Sequence, residues 1–185
     1  MDDDALLEGL RRRDAVSPDG SVRRATAYRA AEPEEIASTE TALGFRIPPL
    51  LRRIYLEVAD GGFGPAYGFY PLRPGQKETL VEARNKLAAD PAWPRLLLPI
   101  CDWGCAIWSC LDCRTDDGPV VTPAGEDGFR DTGRDLRSWL GAWLAGTDLW
   151  DEMFEPGPTL VMMNPFTKKP MERKGLGKPT GRPWP

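Results

Sequence analysis

The sequence predicts an α+β fold, a single domain in which a mostly antiparallel sheet is flanked by helices. Apolar residues recur at helical spacing in the first ninety residues or so and again after residue 135, short apolar runs bounded by turn residues crowd the stretch between, and no internal repeat or second core interrupts the pattern. The chain has 185 residues, and its 41% hydrophobic and 28% charged residues are enough to build one core.

The elements follow in order. Leu6, Leu7 and Leu10 share one helical face, with acids ahead of them and Arg11-Arg12-Arg13 behind, an arrangement that suits the helix dipole and predicts a helix over 2–13. Ser17-Pro18-Asp19-Gly20 has turn chemistry. Pro33-Glu34-Glu35 opens a second helix, which Gly44 closes after Ile36, Glu40 and Leu43. Ile47-Pro48-Pro49 opens a third, with Leu50, Leu51, Ile54, Tyr55 and Val58 on one face and Gly61-Gly62 ending it. The aromatic run over 67–72 predicts a strand, placed near an edge by Pro71. Glu78–Ala89 reads as a helix stopped by Asp90-Pro91.

Leu96–Cys101, Cys105–Asp112 and Pro119–Thr122 are apolar runs separated by turn residues, which predicts an antiparallel meander. A last helix, capped by Asp131 or Thr132, carries Leu136, Trp139, Leu140, Trp143 and Leu144 at i, i+3, i+4, i+7 and i+8. Trp139, Trp143 and Leu140 are therefore expected in the core together with Leu43. The organisation expected is a domain over 1–163, with an N-terminal helical extension, and a C-terminal tail over 164–185.

Composition excludes several chemistries. There is no histidine, which removes serine and cysteine triads, histidine bases and histidine-containing zinc sites. Cys101, Cys105, Cys110 and Cys113 are spaced x3, x4, x2, without the two separated knuckle pairs of a structural zinc site. Three residues along a strand put Cys110 and Cys113 about 10 Å apart, beyond disulfide reach. They are expected to act as small buried hydrophobes, with no metal and no cofactor. Neither Gly61-Gly62-Phe63-Gly64 nor Gly175-Leu176-Gly177-Lys178 lies between a strand and a helix as a phosphate loop does. No catalytic residue is assigned. No apolar run approaches membrane-spanning length and the N-terminus is acidic, so a cytoplasmic protein away from membranes is expected.

Charge is unevenly spread. Six basic residues and one acid fall in 165–185, a net +5, against 18 basic and 27 acidic residues in the remainder, a net −9. An acidic body disfavours nucleic acid and favours basic protein partners.

Two blocks together resemble the SUKH superfamily, the group that includes the yeast cell-wall assembly regulator and many bacterial immunity proteins. The first is Glu40-x2-Leu43-Gly44-x2-Ile47-Pro48, then Tyr55 and Asp60-Gly61-Gly62. The second is Leu98-Pro99-Ile100-x-Asp102-Trp103-Gly104, then Leu111-Asp112 and Gly118-Pro119-Val120, followed by the helix of Trp139 and Trp143. The coverage runs from about Pro33 to Gly146, and Asp60 stands where asparagine is usual in that group. The resemblance implies helices around a sheet, no catalytic machinery, and work done through protein contacts, notably neutralising the toxins of bacterial polymorphic toxin systems.

The first expectation is therefore a non-enzymatic interaction domain, an immunity protein that binds a basic toxin domain. Its candidate contacts are the loop acids Glu57, Asp60, Asp102, Asp116, Asp117, Glu126 and Asp127, with Trp103 as an aromatic anchor. The alternative is a small zinc protein that contacts nucleic acid through its basic tail, which requires metal at the four cysteines.

Overall fold

A computed structural model describes the chain except residues 17–19, 76, 126–127 and 164–168, and except the side chains of 160, 162, 171–174 and 176. The N-terminal helix α1 (Asp3–Arg12) is capped by the Asp2 carboxylate, which accepts the Ala5 N–H at 2.8 Å. Its buried face is Leu6, Leu7 and Leu10. A small hairpin, β1 (Asp14–Val16) with β2 (Val22–Arg24), follows.

Helix α2 (Pro33–Leu43) starts at proline, and Gly44 ends it at φ 75°, a left-handed conformation that glycine adopts without strain. Helix α3 (Pro49–Glu57) buries Leu50, Leu51, Ile54 and Tyr55. Helix α4 (Leu80–Leu87) is shorter than the span expected over 78–89, because Thr79 and Glu82 form a capping box that fixes its start.

The expected meander forms the centre of the molecule. Strands β3 (Leu97–Gly104), β4 (Ile107–Asp112), β5 (Pro119–Pro123) and β6 (Phe129–Asp135) pair antiparallel in that order, and the two-residue β9 (Arg182–Pro183) lies outside β6. Strand β6 was not legible from Asp131-Thr132-Gly133-Arg134, which is poor in β-forming residues; pairing with β5 overrides that composition. The helix expected to begin at Asp131 or Thr132 begins instead at Leu136, where Asp135 accepts the Ser138 N–H at 2.7 Å and caps α5 (Leu136–Leu144).

The run over 67–72 is not a strand. It touches β3 through one isolated bridge, Phe69 to Cys101, and two flanking hydrogen bonds, Tyr67 N–H to Asp102 O and Tyr70 N–H to Ile100 O. Gly68 at φ 88° breaks the pleat, and Pro71 has no N–H to continue it. The Arg23 guanidinium reaches into this loop and donates to the carbonyls of Gly62, at 2.8 Å, Gly64 and Ala66.

Helices and loops cover one face of the sheet and form the main core, which includes Trp139, Leu140 and Leu43. Trp143 lies at its margin, half-buried. Its ring meets Phe63 edge-on at 5.8 Å, and Arg13 sits 4.8 Å from its centroid. The helical stripe is wider than the space it fills, so its last turn packs under side chains that water still reaches. On the opposite face Leu97, Cys110 and Val121 form a second, smaller cluster with Trp93, Trp108, Phe129 and Trp184 packed against it. The single core expected from sequence is thus two clusters divided by one sheet.

Beyond α5, helix α6 (Leu149–Met153) leads into a separate hairpin of β7 (Phe154–Met163) and β8 (Pro170–Pro179). The 163/164 boundary expected between domain and tail falls between these two paired strands.

Candidate functional site

The candidate acids do not share one surface. Glu57 ends α3, where Arg53 holds it at 2.7 Å and Arg11 lies 3.5 Å away, so two guanidiniums already match its charge. Asp60, expected as an exposed contact, is 7% exposed. Its two oxygens accept the Leu72 N–H and the Arg73 Nε–H, each at 2.7 Å, which makes it a pin between the end of α3 and the approach to α4. Burial needed the chain to return over 61–73, which no local pattern announces.

Asp116 and Asp117 are exposed in the loop between β4 and β5. Because successive strands of the meander run in opposite directions, this loop lies at the other end of the sheet from the β3–β4 turn that follows Asp102. Glu126 and Asp127 lie outside the described residues. Trp103 is half-buried; its indole donates to Ser109 Oγ at 2.9 Å and its ring stands 5.8 Å from that of Trp150, so most of its recognition surface is already used inside the molecule.

Asp102 sits differently. Its Oδ1 accepts the Gly104 N–H at 2.7 Å, which fixes the carboxylate at the mouth of a cleft of about 340 Å³. Tyr67, Tyr70, Lys77 and Glu78 line the same cleft. Tyr67 is 37% exposed, one of the few large hydrophobic side chains at the surface. Lys77 folds back so that its ammonium donates to the Tyr67 carbonyl at 3.1 Å. Burial first, and then the Asp102 and Glu78 carboxylates, push the Tyr70 phenol well above its ordinary range, while a hydrogen bond with Trp108 opposes them. Asp102 and Glu78 thus line one concavity. Of the residues that line this cleft, sequence reasoning named Asp102 and did not name Tyr67, Tyr70 or Glu78. The three join it only because 67–70 crosses the β3 edge, and the exposed tyrosine among glycines was the one signal that could have marked the place.

Three of the four cysteines are withdrawn from solvent, and Cys105, expected to be buried with them, is exposed. Cys101 lies in the main core and Cys110 in the second cluster on the other face of the sheet. Burial pushes the thiols of Cys101, Cys110 and Cys113 far above their ordinary value, and thiolates are what a metal or an electrophile needs. Cys105 is exposed at the β3–β4 turn. Among the described residues no three histidine, cysteine or acidic side chains are grouped to hold a metal ion, and no helix is long and apolar enough to cross a membrane.

Comparison with protein families gives the chain a family. The model of the SMI1 / KNR4 family (SUKH-1) matches residues 30–142. The chain belongs to this family. The SUKH-1 match runs from just before α2 into α5 and contains the loop of Tyr67, the whole meander and Asp102. Helix α1, the first hairpin, α6 and strands β7, β8 and β9 lie outside it. SUKH-1 is generally a family of non-enzymatic interaction domains. No curated protein and no solved structure matches the chain.

Proposed function

We propose that this chain is a non-enzymatic interaction domain of the immunity type, acting in the cytoplasm by binding and neutralising a basic toxin domain, and that the Tyr67–Asp102–Glu78 cleft receives a lysine or arginine of that partner. The observation that carries this reading is the cleft itself. Asp102 and Glu78 line one concavity beside an exposed aromatic ring. Lys86 lies 3.5 Å from Glu78 in an exposed pair that contributes little. A partner's cationic side chain can therefore exchange with it and gain charge pairing at the acids and a flat surface for its stem and head. The net −9 of the body outside the tail favours approach by a basic protein and disfavours a phosphate backbone. Membership in a family of interaction domains agrees with it. The zinc alternative is less favoured because it needs all four cysteines at one point, whereas Cys101 and Cys110 lie on opposite faces of the sheet.

The test is a titration of the purified chain with the toxin domain encoded by the neighbouring gene. The wild-type chain should bind and inhibit that toxin, and Asp102→Asn with Glu78→Gln should weaken binding at least about tenfold, the loss expected for charged groups at a recognition centre. Unchanged affinity in the double variant would move the interface elsewhere, and no binding by the wild-type chain would overturn the immunity reading.

A further inference from the structure

The five-stranded sheet has two outer edges, and the chain covers them by different means. At the β3 edge the cover is the 67–70 loop, already part of the cleft. At the β6 edge the cover is the C-terminal segment, paired at only two positions, Arg130 with Pro183 and Asp131 with Arg182. We infer that this β6 edge is a docking site for an extended peptide that presents a basic residue two positions ahead of an aromatic one, and that residues 181–185 are its resident occupant, held in cis and displaceable.

Each recognition element is visible because the resident segment uses it. Arg182 meets the Asp131 carboxylate at 3.0 Å. Two positions on, the Trp184 N–H donates to the Phe129 carbonyl at 2.9 Å, continuing the edge pairing, and its ring stands edge-on to Phe129 at 5.7 Å. Phe129 in turn meets Trp93 at 5.4 Å. Arg114 lies 4.5 Å from the centre of the Trp184 ring, and the indole N–H donates to Asp112 Oδ2 at 3.1 Å. A spacing of two puts the basic and the aromatic side chains on one side of an extended strand, and the proline between them has no N–H to leave unpaired. An aromatic ring with a donor at its rim is thus read by apolar edges, a cation and a carboxylate together.

The occupant is anchored by the half-buried Trp184 against the second cluster, and its other residues are exposed. The Arg182 side chain is 78% exposed even in its ion pair, a setting in which such pairs contribute little. A cleft of about 530 Å³ lies between Pro183, Trp184 and Pro185 on one side and Ala92, Pro94, Arg95 and Leu96 on the other, so the aromatic end of the segment sits in a concavity. Strand addition to an open edge supplies main-chain pairing while the pockets select side chains, the general mode of β-augmentation. This site stands at the opposite edge from the Asp102 cleft and does not depend on it.

The experiment uses the full chain and a fluorescently labelled synthetic peptide of residues Thr180–Pro185. In the wild-type chain the tail competes at the millimolar effective concentration of a short tether, so peptide binding should be at least about tenfold weaker than in a full chain carrying Arg182→Ala and Trp184→Ala. The variant should bind the peptide saturably, and a peptide with alanine in place of its tryptophan should not bind. No saturable binding to the variant, or equal binding to both chains, overturns the inference. Loss of a cooperative thermal transition in the variant overturns it too, because a displaceable occupant leaves a folded body behind.

Discussion

The indole N–H of Trp184 donates to the carboxylate of Asp112 across 72 positions of sequence, at 3.1 Å. Asp112 ends β4 and is buried, and Arg114 forms a fork over the same carboxylate, with contacts of 2.7 and 3.0 Å. A charge taken out of water is thus satisfied from both sides, by a guanidinium of the next loop and by the second-last residue of the chain. It ties the basic C-terminal region to the far face of the sheet, where the second cluster lies.

That arrangement predicts an acid-sensitive stability. Burial alone would raise the Asp112 pKa, but the side-chain and backbone hydrogen bonds of Arg114 and the indole of Trp184 outweigh it, so its carboxyl is held below the ordinary range. Asp135 is likewise raised by burial and lowered more by its Ser138 hydrogen bonds. A carboxylate with a depressed folded-state pKa stabilises the fold above its unfolded value, and that stability is lost as pH falls through the folded value. Urea midpoints should therefore fall as the pH drops below about 4, and Asp112→Asn with Asp135→Asn should be less stable at neutral pH with a flatter acid limb. A double variant that loses stability in acid as steeply as the wild-type chain would exclude these two groups.

Asp60 tests whether a buried acid serves the fold. Removing its carboxylate leaves the buried Leu72 N–H without a partner and leaves Arg73 to Glu35, 3.1 Å away, so Asp60→Ala should cost about 2–3 kcal/mol in chemical denaturation. A loss below about 0.5 kcal/mol, the range of ordinary surface substitutions, would remove the pin.

The two tryptophans of α5 should separate. Trp139 is 1% exposed in the main core, and Trp139→Ala should cost about 3–5 kcal/mol. Trp143→Ala loses one aromatic edge contact, one cation–π contact and partial burial, and should cost about 1–3 kcal/mol. Equal losses would mean that the last turn of α5 is as deeply packed as its middle.

Arg23 holds a loop that carries half of the proposed cleft. Three carbonyls of 62–66 face its guanidinium, and Arg23→Met leaves them without that donor. Amide exchange over 61–70 should accelerate at least about tenfold, the factor that corresponds to 1.4 kcal/mol of local opening, while exchange in β4 and β5 changes little. Uniform acceleration across the sheet would show that Arg23 supports the whole fold rather than this loop.

These residues also show how far local sequence reaches. Helices α1, α2 and α3 and strands β3, β4 and β5 were legible because stripe, cap and turn signals agreed over a few residues, as with Pro33, Glu35 and Gly44 around α2; α5 was legible from its stripe but not from its cap. Strand β6 was not, since its pairing runs through Phe129, Arg130, Asp131 and Asp135 while the stretch between bulges at Gly133, φ 76°, so partners rather than local preference hold it in the sheet. The 67–72 run misled for the opposite reason, its aromatic residues packing into a loop that Gly68 and Arg23 shape. Asp102 was legible as an acid in a turn, but Tyr67, Tyr70 and Glu78 become its neighbours only through the crossing of a sheet edge. The role of Trp184 depended on a carboxylate far away in sequence and had no local signature.

The last prediction divides the acids by what they do to a partner's kinetics. Asp116 and Asp117 are exposed at the far end of the sheet from the cleft, within reach of a partner's field over about 8 Å at physiological salt but outside the proposed contact. Neutralising them as Asp116→Asn and Asp117→Asn should slow association with a basic toxin domain a few-fold, flatten its salt dependence, and leave the dissociation rate alone. Asp102→Asn removes a charge that the cleft desolvates on binding, so its effect should fall chiefly on dissociation and persist at high salt. Surface plasmon resonance at several salt concentrations separates the two patterns. If Asp102→Asn altered only the association rate and its effect vanished at about 0.5 M salt, where the Debye length has shrunk to roughly 4 Å, then Asp102 would be one more steering charge and the cleft would not be the point of contact.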